Sequence, residues 1–97
     1  MKSKSVDLES TVLVNPEGAE RAVKVGDSVF LLGPELFRNH HLLNNRKLIV
    51  WLANKTLGKG AYEIYRIHKR NQAVYIDLKG NRGKIMKDVS TQYLGAC

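Results

Sequence analysis

Sulfur chemistry is nearly absent from this chain. One cysteine, Cys97, occurs in 97 residues, and it is the last of them. No internal disulfide can form, and no Cys/His set has zinc-ligand spacing, so a reducing compartment fits. Long apolar runs are also missing, and nothing approaches the length of a membrane span. The opening "MKSKSVDLES" carries no hydrophobic signal region, so secretion is not expected. There is no internal repeat and no low-complexity tract. Acidic residues are scarce in one part of the chain. Residues 1–36 hold four Lys/Arg against six Asp/Glu, a net −2. Residues 37–97 hold twelve Lys/Arg against only Glu63, Asp77 and Asp88, a net +9. A basic sector of this kind is the electrostatic footprint of a polyanion partner, either nucleic acid or an acidic membrane surface. Its plainer use is solubility.

What is present is ordinary globular composition, 43% hydrophobic and 26% charged. The length suits one domain with a small core. Residues 1–10 are polar and aperiodic and read as a flexible lead, which leaves 11–97 as a single domain. "TVLV" (11–14) is a β-branched run closed by the turn signal "NPEG" (15–18). "RAVKV" alternates, "GD" bends the chain, and "SVFLL" resumes as a strand. "GPELFRNHHLLNN" (33–45) is the one stretch that predicts a short helix or helical turn, with Pro34 at a first helical position. "KLIVWLA" (47–53) favours a strand buried on both faces.

The pattern sharpens downstream. In "AYEIYRI" (61–67), Tyr62 and Ile64 share a face and Ile67 breaks the alternation, which a bulge near Tyr65–Arg66 would restore. "HKRNQ" (68–72) reads as a turn. "AVYIDL" (73–78) puts Val74, Ile76 and Leu78 inward and Tyr75 and Asp77 outward. "KGNRG" (79–83) reads as a hairpin loop, and "KIMKDV" places Ile85, Lys87 and Val89 on one face. "STQYL" (90–94) suits a helical turn before a final extended residue or two. Five or six short strands with tight late turns predict a mainly β domain, an antiparallel barrel with a long early connection.

These residues resemble a known family. "VKVGDSVFLL" is similar to the opening strand of the SH3-like barrel in the C-terminal domain of retroelement integrases. "LGKGAYEIYRI" resembles that family's Gly-Pro-Tyr-x-Ile strand, with Ala61 in place of Pro. "NQAVYIDLKGNRGKIMKDVSTQYL" resembles its closing hairpin. The resemblance covers 23–94 and concentrates in 58–94. The likeness is to integrases of retroviral and gypsy-class retrotransposons and to host proteins derived from them. It implies a non-catalytic SH3-like, DNA-binding domain that self-associates or serves other domains of a parent integrase. Chromodomain or Tudor-like readers and KOW-type RNA-binding modules share much of the pattern.

Catalysis needs a nucleophile, a base and a stabilising group held together, and no such set can be named. His40–His41 lacks further ligands, and neighbours on a helix diverge by about 100°. "GKG" (58–60) lacks P-loop spacing. No enzyme activity, cofactor, metal, small-molecule substrate or membrane partner is expected. Asp77 and Asp88 read as local charge balance among lysines. Trp51 and Tyr62 read as core, while Tyr65 and Tyr75 could stack on bases or cage a methyl-lysine. The candidate contact set is Arg66, Lys69 and Arg70 at one turn, Lys79, Arg82, Lys84 and Lys87 around the other, and Tyr75 between. Set along one side of a sheet, it suits sequence-independent contact with a DNA backbone, or that of RNA. Such a protein would be intracellular, and nuclear in a eukaryote.

Overall fold

The computed structural model describes residues 5–31, 40–58 and 60–97, with side chains from residue 47 onward in the helix. The fold is mainly β. In chain order it comprises β1 (Val6–Leu8), β2 (Ser10–Val14), β3 (Glu20–Lys24), β4 (Ser28–Leu31), α1 (His40–Thr56), β5 (Tyr62–Arg70), β6 (Ala73–Lys79), β7 (Ile85–Ser90), a 3-10 turn (Thr91–Tyr93) and β8 (Leu94–Ala96). One sheet runs β3-β2-β8-β4-β5-β6-β7, with β1 pairing β5 off that path. The sheet is not closed, so the expected barrel becomes an open, eight-stranded arrangement. Pairing is antiparallel except where Val14 meets Gly95 in parallel.

Residues 6–8, expected within a flexible lead, are instead part of the sheet. Val6, Asp7 and Leu8 face Lys69, His68 and Ile67. Strand β5 is therefore shared: its start pairs β4 and its end pairs β1 on the same side. The turns explain themselves locally. Asn15 accepts the N–H groups of Glu17 and Ala19 on its side-chain oxygen, which fixes the β2–β3 turn. At the β3–β4 bend, Asp27 accepts the Lys24 N–H on its carboxylate. The same bend docks onto β5 through Gly26 N–H to Ile64 O and Ile64 N–H to Asp27 O, both 2.9 Å. A bend is needed there, and Gly26 supplies it at φ +98°.

Two readings are corrected around the helix. "KLIVWLA" is not a strand; it is the middle of α1. Of the predicted helix, 33–39 lies outside the described residues, and α1 runs far past Asn45. The β-branched run misled because only part of it is packed. Ala53 and Leu57 are buried, with Ile49 against them, a four-residue spacing that marks one helical face. The helix closes on Gly58, whose N–H reaches back to Ala53 O at a φ of +90°. Trp51, expected in the core, is 56% exposed on the far side.

The core joins Leu13, Val23, Val29, Ala53, Leu57, Tyr62, Ile64, Ile67, Ile76, Leu78, Val89 and Leu94, with Tyr93 and Ala96 at its edge. The late part of the chain follows expectation closely. Ile76 and Leu78 are fully buried and Val74 half-buried. The 3-10 turn and short final strand form as read. The turn between β5 and β6 is tighter than "HKRNQ". Asn71 and Gln72 alone make it, both at positive φ, so Lys69 and Arg70 belong to a strand.

Candidate nucleic-acid interface and a buried carboxylate–histidine network

Ladder register decides which side chains share a face. Arg66 faces Asp77, and His68 faces Tyr75, which in turn faces Ser90. These positions stand on the side of the sheet opposite Ile67, Ile76 and Val89. Register slips beside Asp77 on both flanking strands. β5 inserts Tyr65 between Ile64 and Arg66, the expected bulge, and β7 places two residues, Lys87 and Asp88, where β6 has one. The second bulge breaks the predicted common face of Ile85, Lys87 and Val89. Met86 pairs Leu78 and joins Val89 against the core, while Ile85 pairs Lys79.

The bulges gather charged side chains around one carboxylate. Asp77 is 3% exposed, so it is not the solvated outward residue the alternation predicted. Its Oδ1 accepts the Asp88 backbone N–H at 3.0 Å and lies 3.1 Å from His68 Nε2. Asp88 sits at φ +60°, a conformation Asp tolerates better than most residues, and turns its own Oδ1 to within 3.1 Å of the same His68 nitrogen. Nε2 faces two carboxylate oxygens, so it carries a proton. Nδ1 of this buried ring has no hydrogen-bond partner, a cost of about 1–3 kcal/mol that the rest of the network offsets.

Two of the expected phosphate contacts are engaged by aspartates on this face. Arg66 donates to Asp7 through Nε at 2.7 Å, and that bond raises its pKa above the usual guanidinium value. Arg70 pairs with Asp88 Oδ2 at 3.6 Å and lies over the Tyr75 ring at 5.2 Å. Tyr75 also neighbours His68, with ring centroids 6.0 Å apart. Its own arginine thus occupies one face of the Tyr75 ring. Arg66 and Arg70 thus each face one aspartate, and His68 Nε2 sits between Asp77 and Asp88.

His68, Asp77 and Asp88 present ligand atoms within 4.8 Å of one another, the donor types a divalent transition ion takes. Those atoms already hydrogen-bond one another, and Arg70 balances Asp88. The trio is complete as a cross-strand ion network. An open depression of about 290 Å³ lies elsewhere, between β3, β4 and β8, lined by Arg21, Asp27, Ser28 and Cys97 among others.

Among the described residues, no carboxylate pairs with Lys69, Lys79, Arg82, Lys84 or Lys87. All but the half-buried Lys79 are exposed. The β6–β7 loop, which follows Lys79 and carries Arg82 and Lys84, is locked by Gly80 N–H to Lys84 O and Gly83 N–H to Gly80 O. It also abuts the end of α1: a Cβ on Gly80 would lie 2.5 Å from Leu57 O. That contact sets the loop cations beside a helix whose sequence from His40 to Thr56 contains no acidic residue. Lys47 and Lys55 of that helix are exposed too. The sequence reading missed this neighbour because it took 47–53 for a strand.

Comparison of the chain with protein-family models, with curated proteins and with solved structures found no match.

Proposed function

We propose that this domain is a non-catalytic nucleic-acid-binding module making sequence-independent contacts with the phosphate backbone. The observation that carries the reading is the Gly80–Leu57 approach. It sets Lys79, Arg82 and Lys84 beside the end of a helix whose sequence holds no acid to offset their charge. Lys69 and Lys87 extend the positive field from the sheet. Arg66, Arg70 and Tyr75 support the strands beneath rather than the phosphate contact. The resemblance to integrase C-terminal domains motivates the same reading, and DNA is the first partner to test, with RNA beside it.

The test is binding of a labelled duplex across a salt series. Each phosphate contact contributes about 0.9 to the slope of log affinity against log salt. Replacing Lys79, Arg82 and Lys84 by Gln should therefore lower the slope by about 2.7 if all three touch phosphate. Arg66→Gln should leave the slope unchanged. An affinity indifferent to salt, or unaltered by the triple replacement, would overturn the proposal.

A further inference from the structure

Trp51 is the chain's one tryptophan, and more than half of its surface is in water. A helix turns about 100° per residue, so Lys47, Leu48, Trp51 and Lys55 fall on one face, opposite Ile49, Ala53 and Leu57. Leu48 is 58% exposed there. The ammonium of Lys55 lies over the indole, 4.8 Å from the ring centroid. Lys47 and Lys55 sit one turn before and one turn after Trp51, about 12 Å apart along the axis. An exposed indole between two lysines, on a helix without acids, does not suit a neutral or cationic partner.

Resting on the phosphate-binding reading above, we infer that this helix face is a stacking platform for unpaired bases, which makes single-stranded nucleic acid the preferred ligand. With Lys55 over one face of the indole, the other supplies a π surface that any base can cover, so the contact is sequence-tolerant. Lys47 and Lys55 neutralise phosphates on either side of the stacked nucleotide. A duplex offers only its phosphates to this face, because its bases are already stacked on one another. Leu48 beside the indole extends the apolar floor under the base.

The single tryptophan makes the test direct. Intrinsic fluorescence is followed while the protein is titrated with a mixed-sequence single-stranded oligonucleotide, a duplex of equal length, and vesicles containing phosphatidylserine. Stacking predicts quenching and protection from iodide with the single strand only. Trp51→Ala should weaken single-strand binding at least about five-fold, the low end for one stacked base, and Trp51→Phe should restore part of it. Duplex affinity should stay within two-fold in both variants. Circular dichroism checks that Trp51→Ala, a change at an exposed position, retains the fold. Salt-sensitive binding of both nucleic acids with unchanged fluorescence, and no effect of Trp51→Ala, would sink the stacking inference while leaving the phosphate reading intact. Absence of binding to any nucleic acid sinks both. Binding to vesicles in preference to the single strand, with a blue shift of Trp51, makes the face a lipid contact and also overturns the inference.

Discussion

Replacing Asp77 by Ala tests whether the carboxylate organises the three late strands. Its Oδ1 holds two donors, the Asp88 N–H at 3.0 Å and His68 Nε2 at 3.1 Å. Hydrogen bonds to a charged group are worth about 1.5–3 kcal/mol each. After the change, His68 keeps Asp88 Oδ1, and the Asp88 N–H is only partly buried. The loss therefore falls in the lower half of the doubled figure, about 3 kcal/mol, at the edge of the range for breaking a buried pair. In a chain of this length that lowers the melting temperature by about 12–24 °C. Asp77→Asn keeps an acceptor for the Asp88 N–H and loses only the charge, so about half the effect remains. Urea unfolding followed by far-ultraviolet circular dichroism measures both, since the exposed Trp51 reports the core poorly. A loss under about 1 kcal/mol for Asp77→Ala, with an unchanged dependence on urea, refutes the reasoning. So would additivity of His68→Ala and Asp77→Ala, because groups in one network must couple.

Two further perturbations probe the elements that carry the basic surface. Gly80→Ala places a Cβ 2.5–2.7 Å from Leu57 backbone and side-chain atoms, so the loop and the end of α1 must separate. Overpacking of this kind costs about 1–3 kcal/mol, and urea unfolding should show it together with a weakened contribution of Lys79, Arg82 and Lys84 to nucleic-acid binding. Tyr62 donates its hydroxyl to Gly58 O at 2.7 Å and anchors the chain after the helix, so Tyr62→Phe should cost about 1 kcal/mol. Burial raises the Tyr62 phenol above its ordinary 10.0. Its contribution is whole below that pH and is lost as pH rises through the folded value, because the unfolded chain ionises first. Unfolding midpoints measured from pH 8 to 11 should fall less steeply in Tyr62→Phe.

The alternation in 73–78 and the broken alternation at Ile67 made β5 and β6 legible, including the bulge at Tyr65. Short-range patterns suffice there because each face is decided by neighbours across one ladder. The helix was not legible. Leu48, Ile49, Val50, Trp51 and Leu52 are continuous and strand-like, and only tertiary packing shows that the face carrying Leu48 and Trp51 is left in water. Asp77 was misread for a related reason. Alternation gives the side of the sheet but not what covers it, and here Arg66, His68, Arg70 and Tyr75 enclose the outer side. A usable signal existed: once the Tyr65 bulge is granted, Arg66, His68 and Arg70 share a face with Tyr75 and Asp77, so the one acid of β6 faces a row of cations. The second bulge, at Lys87–Asp88, left no mark in the residue pattern.

The division of positive charge follows from those bulges and bounds what the surface can do. Arg66 and Arg70 lie close to the centre of the basic stretch, yet Asp7 and Asp88 engage them. Without the β7 bulge, Asp88 would not reach His68 or Arg70, and Arg70 would be left without its carboxylate. Seven described cations then remain unpaired where the net charge is concentrated: Lys47, Lys55, Lys69, Lys79, Arg82, Lys84 and Lys87. Full engagement of all seven by duplex DNA gives a salt slope of about −6.3, and the loop alone about −2.7. A steeper slope than the first requires Arg66 and Arg70 to leave their aspartates or further cations to join. Asp88→Ala then discriminates, since it releases Arg70 without removing a cation. If Arg70 is held back by Asp88, the substitution steepens the slope by about 0.9. If Arg70 already contacts phosphate, the slope stays the same.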